Sequence, residues 1–63
     1  MKLYEVPPGS MIKLSEDAIV PPAAMMLYKG TIIKFSRLDG AYSTCFKDGV
    51  QVYPSASTEV EIM

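Results

Sequence analysis

The chain has 63 residues, of which six are basic and seven acidic, so its formal net charge is −1. A chain of this length forms a single domain over residues 1–63, with no room for a second core. The charge balance argues against a basic nucleic-acid-binding surface spread over the whole domain. The apolar fraction of 49% is high for so small a chain. It indicates that a partner, or further copies of the chain, cover part of the apolar surface.

The content of cysteine and histidine restricts the covalent and metal chemistry. Cys45 is the only cysteine and the chain has no histidine, so an internal disulfide is impossible and a Cys/His zinc site is not expected. We expect no cofactor. No segment approaches the ~20 apolar residues that a membrane helix requires, and residues 1–3 do not begin a signal peptide. These features together predict a cytoplasmic protein.

The first half of the chain predicts short extended segments and a long loop. Residues 3–6 alternate between apolar and polar and are stopped by a turn at residues 7–9, Pro-Pro-Gly. Residues 10–15 alternate and predict a short, half-buried strand. Residues 16–30 show no sustained period, and Pro21-Pro22 excludes a helix through their middle. We therefore predict a long connecting loop over residues 16–30.

Two Asp-Gly pairs mark a three-stranded meander in the second half. Asp-Gly supplies the positive φ angles that tight hairpin turns need. The three predicted strands cover residues 31–38, 41–47 and 50–53. In the first of them Ile33 and Phe35 share one face, while Lys34 points the other way.

A last strand completes the predicted fold. Pro54 lacks the N–H that would extend the third strand of the meander, and residues 54–57 allow one tight turn before an alternating strand at residues 58–62. Five short strands in this order predict an all-β chain, a small five-stranded SH3-like or Sm-like barrel with a long first loop. An OB-type barrel is the alternative, although it usually has longer strands and a helix.

Catalytic chemistry finds little support in the sequence. The acidic residues are scattered, with Glu16-Asp17 as the only adjacent pair, and a solvated turn explains that pair better than acid/base catalysis. Cys45 lies within a predicted strand and has no histidine to lower its pKa. The four glycines are isolated at predicted turns, so no phosphate-binding loop is indicated. We expect a protein that is not an enzyme and binds no small-molecule substrate.

Two groups of residues are candidates for binding a macromolecule. Basic and aromatic residues interleave in and near the meander, a pattern in which bases stack on rings and cations contact phosphates. The loop at Met25, Met26, Leu27 and Tyr28 is apolar where loops are normally polar. It either covers an open end of the barrel or contacts a partner.

The predicted sheet also leaves two edge strands, residues 50–53 and 58–62. Unpaired edges favour pairing with another chain. When one edge pairs with the opposite edge of a neighbouring copy, the contact is heterologous and can close into a ring. The interface residues predicted on these two strands are Val50, Val52, Glu59, Val60 and Glu61.

The segments SMIKLSEDAIVPP, GTIIKFSRLDGAYSTCFKDGVQVYP and STEVEIM resemble small phage-type Sm-like proteins of marine, cyanophage-associated sequences. The resemblance covers nearly the whole chain and implies an SH3-like barrel, ring-shaped homo-oligomers and a role in binding RNA or DNA. Sm proteins read RNA with two loops, which would lie here at residues 38–41 and 54–58. The second loop has serines and alanine in place of the Arg-Gly pair of Sm proteins, so the resemblance favours the fold and the ring over uridine-type readout.

The leading hypothesis is therefore a ring-forming, nucleic-acid-binding protein. Lys34 and Arg37 would contact phosphates, and Tyr42 or Tyr53 would stack on bases unless they pack within the barrel. Hydrogen bonds and turn geometry would come from Asp39, Gly40, Ser55 and Ser57. The alternative is a protein-interaction module that does not bind nucleic acid and docks a partner through residues 25–28 or an open strand edge.

Overall fold

The computed structural model describes all residues, 1–63, and has an all-β fold. Seven strands form a five-stranded antiparallel sheet and a separate two-stranded sheet. The strands are β1 (Met11–Leu14), β2 (Ala18–Val20), β3 (Met25–Leu27), β4 (Ile32–Asp39), β5 (Tyr42–Lys47), β6 (Val50–Val52) and β7 (Val60–Ile62). The five strands predicted after residue 9 are present, with bounds that differ by one or two residues.

The large sheet has the strand order β6-β5-β4-β1-β7. The predicted meander β4-β5-β6 is confirmed, and Asp48 and Gly49 have φ angles of 52° and 80°, as a tight two-residue hairpin requires. The last strand returns to lie beside β1 and pairs Lys13 with Glu61. β6 and β7 are the two ends of the sheet and do not pair with each other, so the sheet does not close into a barrel by hydrogen bonding.

The segment predicted as a long loop contains a hairpin instead. β2 and β3 pair antiparallel, with Ala18 opposite Leu27 and Val20 opposite Met25; the Pro21-Pro22 peptide bond in the hairpin tip is cis. The prediction of a loop without strands was wrong. Strands of three residues are too short to give a sustained alternation, and this hairpin is held by burial of Val20 and Leu27 in the core.

The segment before the first strand also differs from its prediction. Residues Leu3–Glu5 form a turn of 3₁₀ helix rather than an extended segment. Leu3 and Val6 are both buried, and residues three apart lie on the same side of a 3₁₀ turn. Apolar residues at positions 3 and 6 therefore fit this turn.

One core lies between the two sheets and the 3₁₀ turn. Ile33 and Phe35 of β4 face it, as their alternation predicted, and in β5 it is Ser43 and Cys45 that lie on the buried side. The core is a cluster of eleven buried apolar residues: Leu3, Val6, Ile12, Leu14, Val20, Leu27, Ile33, Phe35, Cys45, Val52 and Val60. Val52 and Val60, predicted as interface residues, are thus part of the core, because each points inward from its edge strand.

The outer edge of β7 is not open along its length, contrary to the prediction from the sequence. The N–H of Val60 donates to the carbonyl oxygen of Met1 at 2.8 Å, and the N–H of Leu3 donates to the carbonyl oxygen of Thr58 at 2.9 Å. The N-terminal residues thereby act as a short strand on the side of β7 away from β1. This contact could not be read from the alternation of either segment alone.

Candidate functional site: a cleft between Tyr42 and Tyr53

A cleft of about 500 Å³ opens at one end of the large sheet. Three parts of the chain meet there: the tip of the β2–β3 hairpin, the β4–β5 turn and the end of β6. The lining residues are Pro21, Asp39, Tyr42, Ser43 and Tyr53. The lining therefore includes two tyrosines, one proline and one acidic residue.

Backbone contacts bring the lining residues together. Asp39 and Tyr42 are direct partners across the β4–β5 hairpin, which sets the carboxyl group next to one phenol ring. Tyr53 donates its backbone N–H to the carbonyl oxygen of Pro21 at 2.9 Å. This hydrogen bond connects the strand end that carries the second ring to the tip of the β2–β3 hairpin.

The chain turns back on β5 immediately after the cleft. Tyr42 forms an isolated antiparallel bridge with Ser55, and the N–H of Ala56 donates to the carbonyl oxygen of Ala41 at 2.9 Å. The corner after β6 is therefore hydrogen-bonded to the start of β5. This corner, together with the hydrogen bond from Tyr53 to Pro21, fixes the position of Tyr53 relative to Tyr42.

Ser43 lies on the buried side of the cleft and holds the chain next to Tyr53. It is fully buried, and both its backbone N–H and its Oγ donate to the carbonyl oxygen of Pro54 at 2.8 Å. Its Oγ also lies 3.4 Å from Sγ of Cys45. Because its polar atoms are already satisfied inside the protein, the role of Ser43 is to fix Pro54 and the neighbouring Tyr53.

The groups that face solvent in the cleft are free to meet a ligand. Half of the surface of Tyr42 is exposed, and Tyr53 is partly exposed. Asp39 is exposed and takes part in none of the four ion pairs of the protein. An aromatic cleft with an unpaired carboxylate can hold an apolar or proline-containing segment and attract a positive charge.

The predicted nucleic-acid-binding residues separate into two places. Asp39, Tyr42 and Tyr53 line the cleft, Gly40 lies in the adjacent turn with a φ of 64°, and the exposed Ser55 and Ser57 lie at the corner with their Oγ atoms 3.0 Å apart. These six residues are neighbours; their binding of nucleic acid stays a prediction.

Lys34 and Arg37 do not lie in the cleft. They lie on β4 opposite Phe46 and Thr44 of β5, respectively, and both are exposed. The predicted combination of cations with stacking tyrosines is therefore not assembled in one pocket.

The predicted interface residues of the hairpin divide by strand alternation. Met26 and Tyr28 are exposed, whereas Leu27 is buried and Met25 packs against the core. Leu27 and Met25 therefore cover the core, whereas contact of Met26 and Tyr28 with a partner stays a prediction. Ile19, directly opposite Met26, is also exposed and was missed because residues 16–30 were treated as a loop.

The predicted interface residues of the edge strands have different environments. Val50 is exposed beside the β5–β6 turn. Glu59 forms ion pairs with the Met1 ammonium at 2.7 Å and with Nζ of Lys2 at 3.2 Å, and these contacts lower its pKa. Glu61 lies 3.8 Å from Nζ of Lys13. Glu59 is thus engaged within its own chain.

Pro21 and Ser43 are the lining residues that the sequence did not suggest. Pro21 was interpreted only as a helix breaker, and Ser43 only as one residue of an alternating strand. The sequence offers one signal for the cleft: Pro21 follows a short apolar run, and two tyrosines lie further along the chain. This signal does not indicate which parts of the chain meet.

Cys45 and the acidic side chains are the remaining groups with potential chemistry. Burial raises the pKa of the Cys45 thiol, which disfavours the reactive thiolate. No group of three or more His, Cys, Asp or Glu side chains is placed to hold a metal ion. No helix of the chain has the length and apolar character needed to cross a bilayer.

Comparison with known proteins leaves the chain without an assigned family. Scans against protein-family models, curated proteins and solved structures each found no match. The geometry of the cleft and the surfaces of the sheets are therefore the basis for a functional proposal.

Proposed function

We propose that this protein is a small peptide-binding module with an SH3-like fold, in which the cleft holds an extended segment of another protein. The strand order of the large sheet supports the fold: a three-stranded meander is flanked by β1, and the last strand returns beside β1. The hairpin β2–β3 follows the first strand of this sheet and covers one side of the core. This arrangement is an open five-stranded meander with a long inserted hairpin.

The observation that carries the proposal is the composition of the cleft. Aromatic-lined grooves bind proline-rich segments in polyproline II conformation, because such segments are extended before binding and lose little conformational entropy. Tyr42, Tyr53 and Pro21 offer apolar faces for proline rings. The ligand that fits this cleft best is an extended, proline-rich segment.

Asp39 gives the cleft a preference for a positively charged ligand. Its carboxylate is the only charged group of the lining, and it has no cation as an intramolecular partner. A lysine or arginine in the peptide would form an ion pair there, whereas a phosphate would meet a like charge. This argues for a basic peptide and against a nucleic acid in the cleft.

The proposal is tested by titrating the purified protein with two labelled decapeptides. Both are proline-rich, and they differ only in one position that is arginine in the first and glutamate in the second. We expect the arginine peptide to bind more tightly, and Asp39→Asn to remove most of the difference. Asp48→Asn is a matched control, because Asp48 is an exposed carboxylate in the other Asp-Gly turn. If neither peptide binds at millimolar concentration, the proposed function is wrong.

RNA or DNA binding by a ring-forming, phage-type Sm-like protein is the second candidate function. The observation that favours it is the pair Lys34 and Arg37, both exposed on β4 and both without an acidic partner. Binding through these cations would weaken steeply with salt. The test is a fluorescent single-stranded RNA decamer titrated at low salt, with Lys34→Gln plus Arg37→Gln as the variant. Equal binding by the variant contradicts this candidate.

A further inference from the structure

A buried threonine on the outer side of the large sheet has no hydrogen-bond partner within the protein. Three polar side chains are buried, those of Ser43, Thr44 and Thr58. The hydroxyl groups of Ser43 and Thr58 donate to backbone carbonyl oxygens at 2.8 Å and 2.7 Å. Thr44 is 6% exposed, and its hydroxyl group takes part in no hydrogen bond.

The hydroxyl group of Thr44 is accessible to a ligand although most of the residue is covered. No fully buried side-chain nitrogen or oxygen atom of the protein lacks a hydrogen-bond partner, so Oγ1 of Thr44 retains contact with solvent. Ser43 and Cys45 lie on the buried side of β5, and alternation places Thr44 on the opposite side. The hydroxyl group therefore lies in a recess of the outer face and is free to bond a ligand.

This recess lies between the cleft and an unpaired cation. Arg37 is the direct cross-strand partner of Thr44 on β4. It is exposed and forms no ion pair. Tyr42, which lines the cleft, precedes Thr44 by two residues on the same side of β5. Opposite residues in a sheet have Cβ atoms roughly 4.5–5.5 Å apart, so the guanidinium and hydroxyl groups can contact one ligand group together.

The two groups suit an anion. A guanidinium group only donates hydrogen bonds, and a hydroxyl group has one proton to donate. Hydrogen bonds from such donors to a charged oxygen are stronger than those to a neutral one. Arg37 and Thr44 together therefore fit the oxygen atoms of a carboxylate or a phosphate.

Asp39 favours a carboxylate of a peptide over the phosphates of a nucleic acid. It lies two residues after Arg37 on β4, and the register places both residues on the same side of the sheet. The phosphates of a nucleic acid that contact Arg37 would bring further negative charge towards Asp39. A peptide avoids this repulsion because it can present a positive side chain to Asp39 and a carboxylate to Arg37.

We propose that Arg37 and Thr44 form a carboxylate-binding subsite beside the cleft, and that the ligand carries an acidic residue close to its basic one. This inference rests on the proposed peptide-binding function and specifies its ligand. Arg37 and Asp39 are two residues apart on an extended strand, roughly 6–7 Å. A polyproline II segment rises about 3.1 Å per residue, so an acidic residue two positions from the basic one covers this distance. The ligand is thus a proline-rich segment with charges of both signs.

The experiment titrates the purified protein with two labelled, proline-rich decapeptides that each contain one central arginine. In the first peptide, glutamate occupies the positions two before and two after the arginine. In the second, glutamine occupies the same two positions. Because both flanks are changed, the comparison does not depend on the direction in which the peptide binds. We expect the glutamate peptide to bind roughly fivefold more tightly.

Three variants show which side chains produce this preference. Arg37→Gln removes the cation and should abolish most of the preference for glutamate. Thr44→Val removes the hydroxyl group at nearly constant shape and should reduce the preference. Both variants should keep their affinity for the glutamine peptide, which also demonstrates that they are folded. Lys29→Gln is the matched control and should keep the full preference, because Lys29 is exposed, forms no ion pair and lies outside the cleft.

The possible failures of the subsite and of the proposed function are distinguishable. Equal affinity for the two peptides, with the effect of Asp39→Asn intact, refutes the subsite and leaves peptide binding in place. Absence of binding by both peptides refutes the function and the subsite together. Equal affinity for the two peptides, combined with weaker binding of the RNA decamer by Thr44→Val, assigns Arg37 and Thr44 to a phosphate of nucleic acid and overturns the proposal.

Discussion

The backbone N–H of Tyr53 donates to the carbonyl oxygen of Pro21 at 2.9 Å. This one hydrogen bond joins the end of the meander to the tip of a hairpin that begins more than thirty residues earlier in the chain. It brings a phenol ring and a proline ring to the same cleft. The shape of the cleft therefore depends on the hairpin remaining packed on the core.

The stability of the hairpin can be tested at Leu27. Leu27→Ala removes a fully buried side chain that packs in the core and is expected to lower the free energy of unfolding by about 2–5 kcal/mol. Urea denaturation monitored by tyrosine fluorescence measures the change. Ile19→Ala, on the exposed side of the same hairpin, is the control and should change stability by at most about 0.5 kcal/mol. Equal effects of the two substitutions would contradict the packing described here.

The contribution of Tyr42 to the cleft can be separated from its role in folding. Tyr42→Ala removes an exposed ring from one wall and is expected to weaken binding of the arginine-containing peptide by about tenfold or more. Tyr42→Phe keeps the aromatic face and should retain most of the affinity. Tyr28→Ala is the matched control, since this exposed tyrosine lies outside the cleft. A similar loss in both alanine variants would argue against the cleft as the binding site.

The β5–β6 turn requires glycine at position 49. Gly49 has a φ of 80° and nothing lies within 4 Å of the Cβ that a substitution would add, so only backbone strain opposes a side chain. Gly49→Ala is expected to cost about 1–2 kcal/mol of stability. Asp48→Asn, at a φ of 52°, should be nearly neutral because asparagine tolerates this region. Thermal unfolding followed by circular dichroism compares the two; a neutral Gly49→Ala would disprove the turn geometry.

The contacts of Glu59 predict a dependence of stability on pH. The hydrogen bond from the Met1 ammonium, followed by the one from Lys2, lowers the pKa of Glu59 from its usual value of 4.5. A carboxyl group with a lowered pKa in the folded state stabilises the protein above that usual value. This stabilisation is lost as the pH falls through the pKa of the folded state.

Glu59→Gln should therefore reduce stability at neutral pH, with a difference from the unmodified chain that shrinks as the pH falls below 4.5. The size is expected to be modest because Glu59 is solvent-exposed and screened. Urea midpoints measured at several pH values give the comparison. Glu61→Gln removes the same charge from the same segment, where the only ion-pair contact is at 3.8 Å, and should produce a smaller effect. A constant difference at all pH values would rule out the ion pairs as the cause.

The thiol of Cys45 should react slowly in the folded protein. Its side chain is fully buried, and burial raises its pKa, so both access and the fraction of thiolate are low. We expect labelling by a disulfide reagent at pH 8 to be slow without denaturant and fast in concentrated urea. Labelling of the native protein at the rate of a free thiol would show that β5 is not packed as described.

Local chemistry accounts for the parts of the fold that could be predicted. Each corner of the meander has an Asp-Gly pair whose glycine has a positive φ. At the β5–β6 corner both residues of the pair turn the chain, whereas at the β4–β5 corner Asp39 still pairs with Tyr42 and the turn residues are Gly40 and Ala41. Ile33 and Phe35 lie on either side of Lys34, and alternation assigns a face without reference to other segments. For these reasons the strands β4, β5 and β6 and the inward side of β4 followed from sequence alone.

The hairpin β2–β3 could not be predicted because its strands have only three residues each. Alternation over three residues is indistinguishable from chance, and Pro21-Pro22 suggested a loop. Burial of Val20 and Leu27 against other strands stabilises the hairpin. Since the hairpin was missed, Pro21 was missed as a cleft residue and Ile19 as an exposed one.

The sequence by itself determined a small all-β chain with a meander, an apolar core face and tyrosines beside its turns, because turn chemistry and alternation act between near neighbours. Only the tertiary structure decided which residues share a site. It placed Asp39 with the tyrosines, left Lys34 and Arg37 outside the lining of the cleft, and covered part of the β7 edge with the N-terminal residues. The physical reason is that these contacts join segments far apart in the chain, and their energy comes from packing that no single segment encodes.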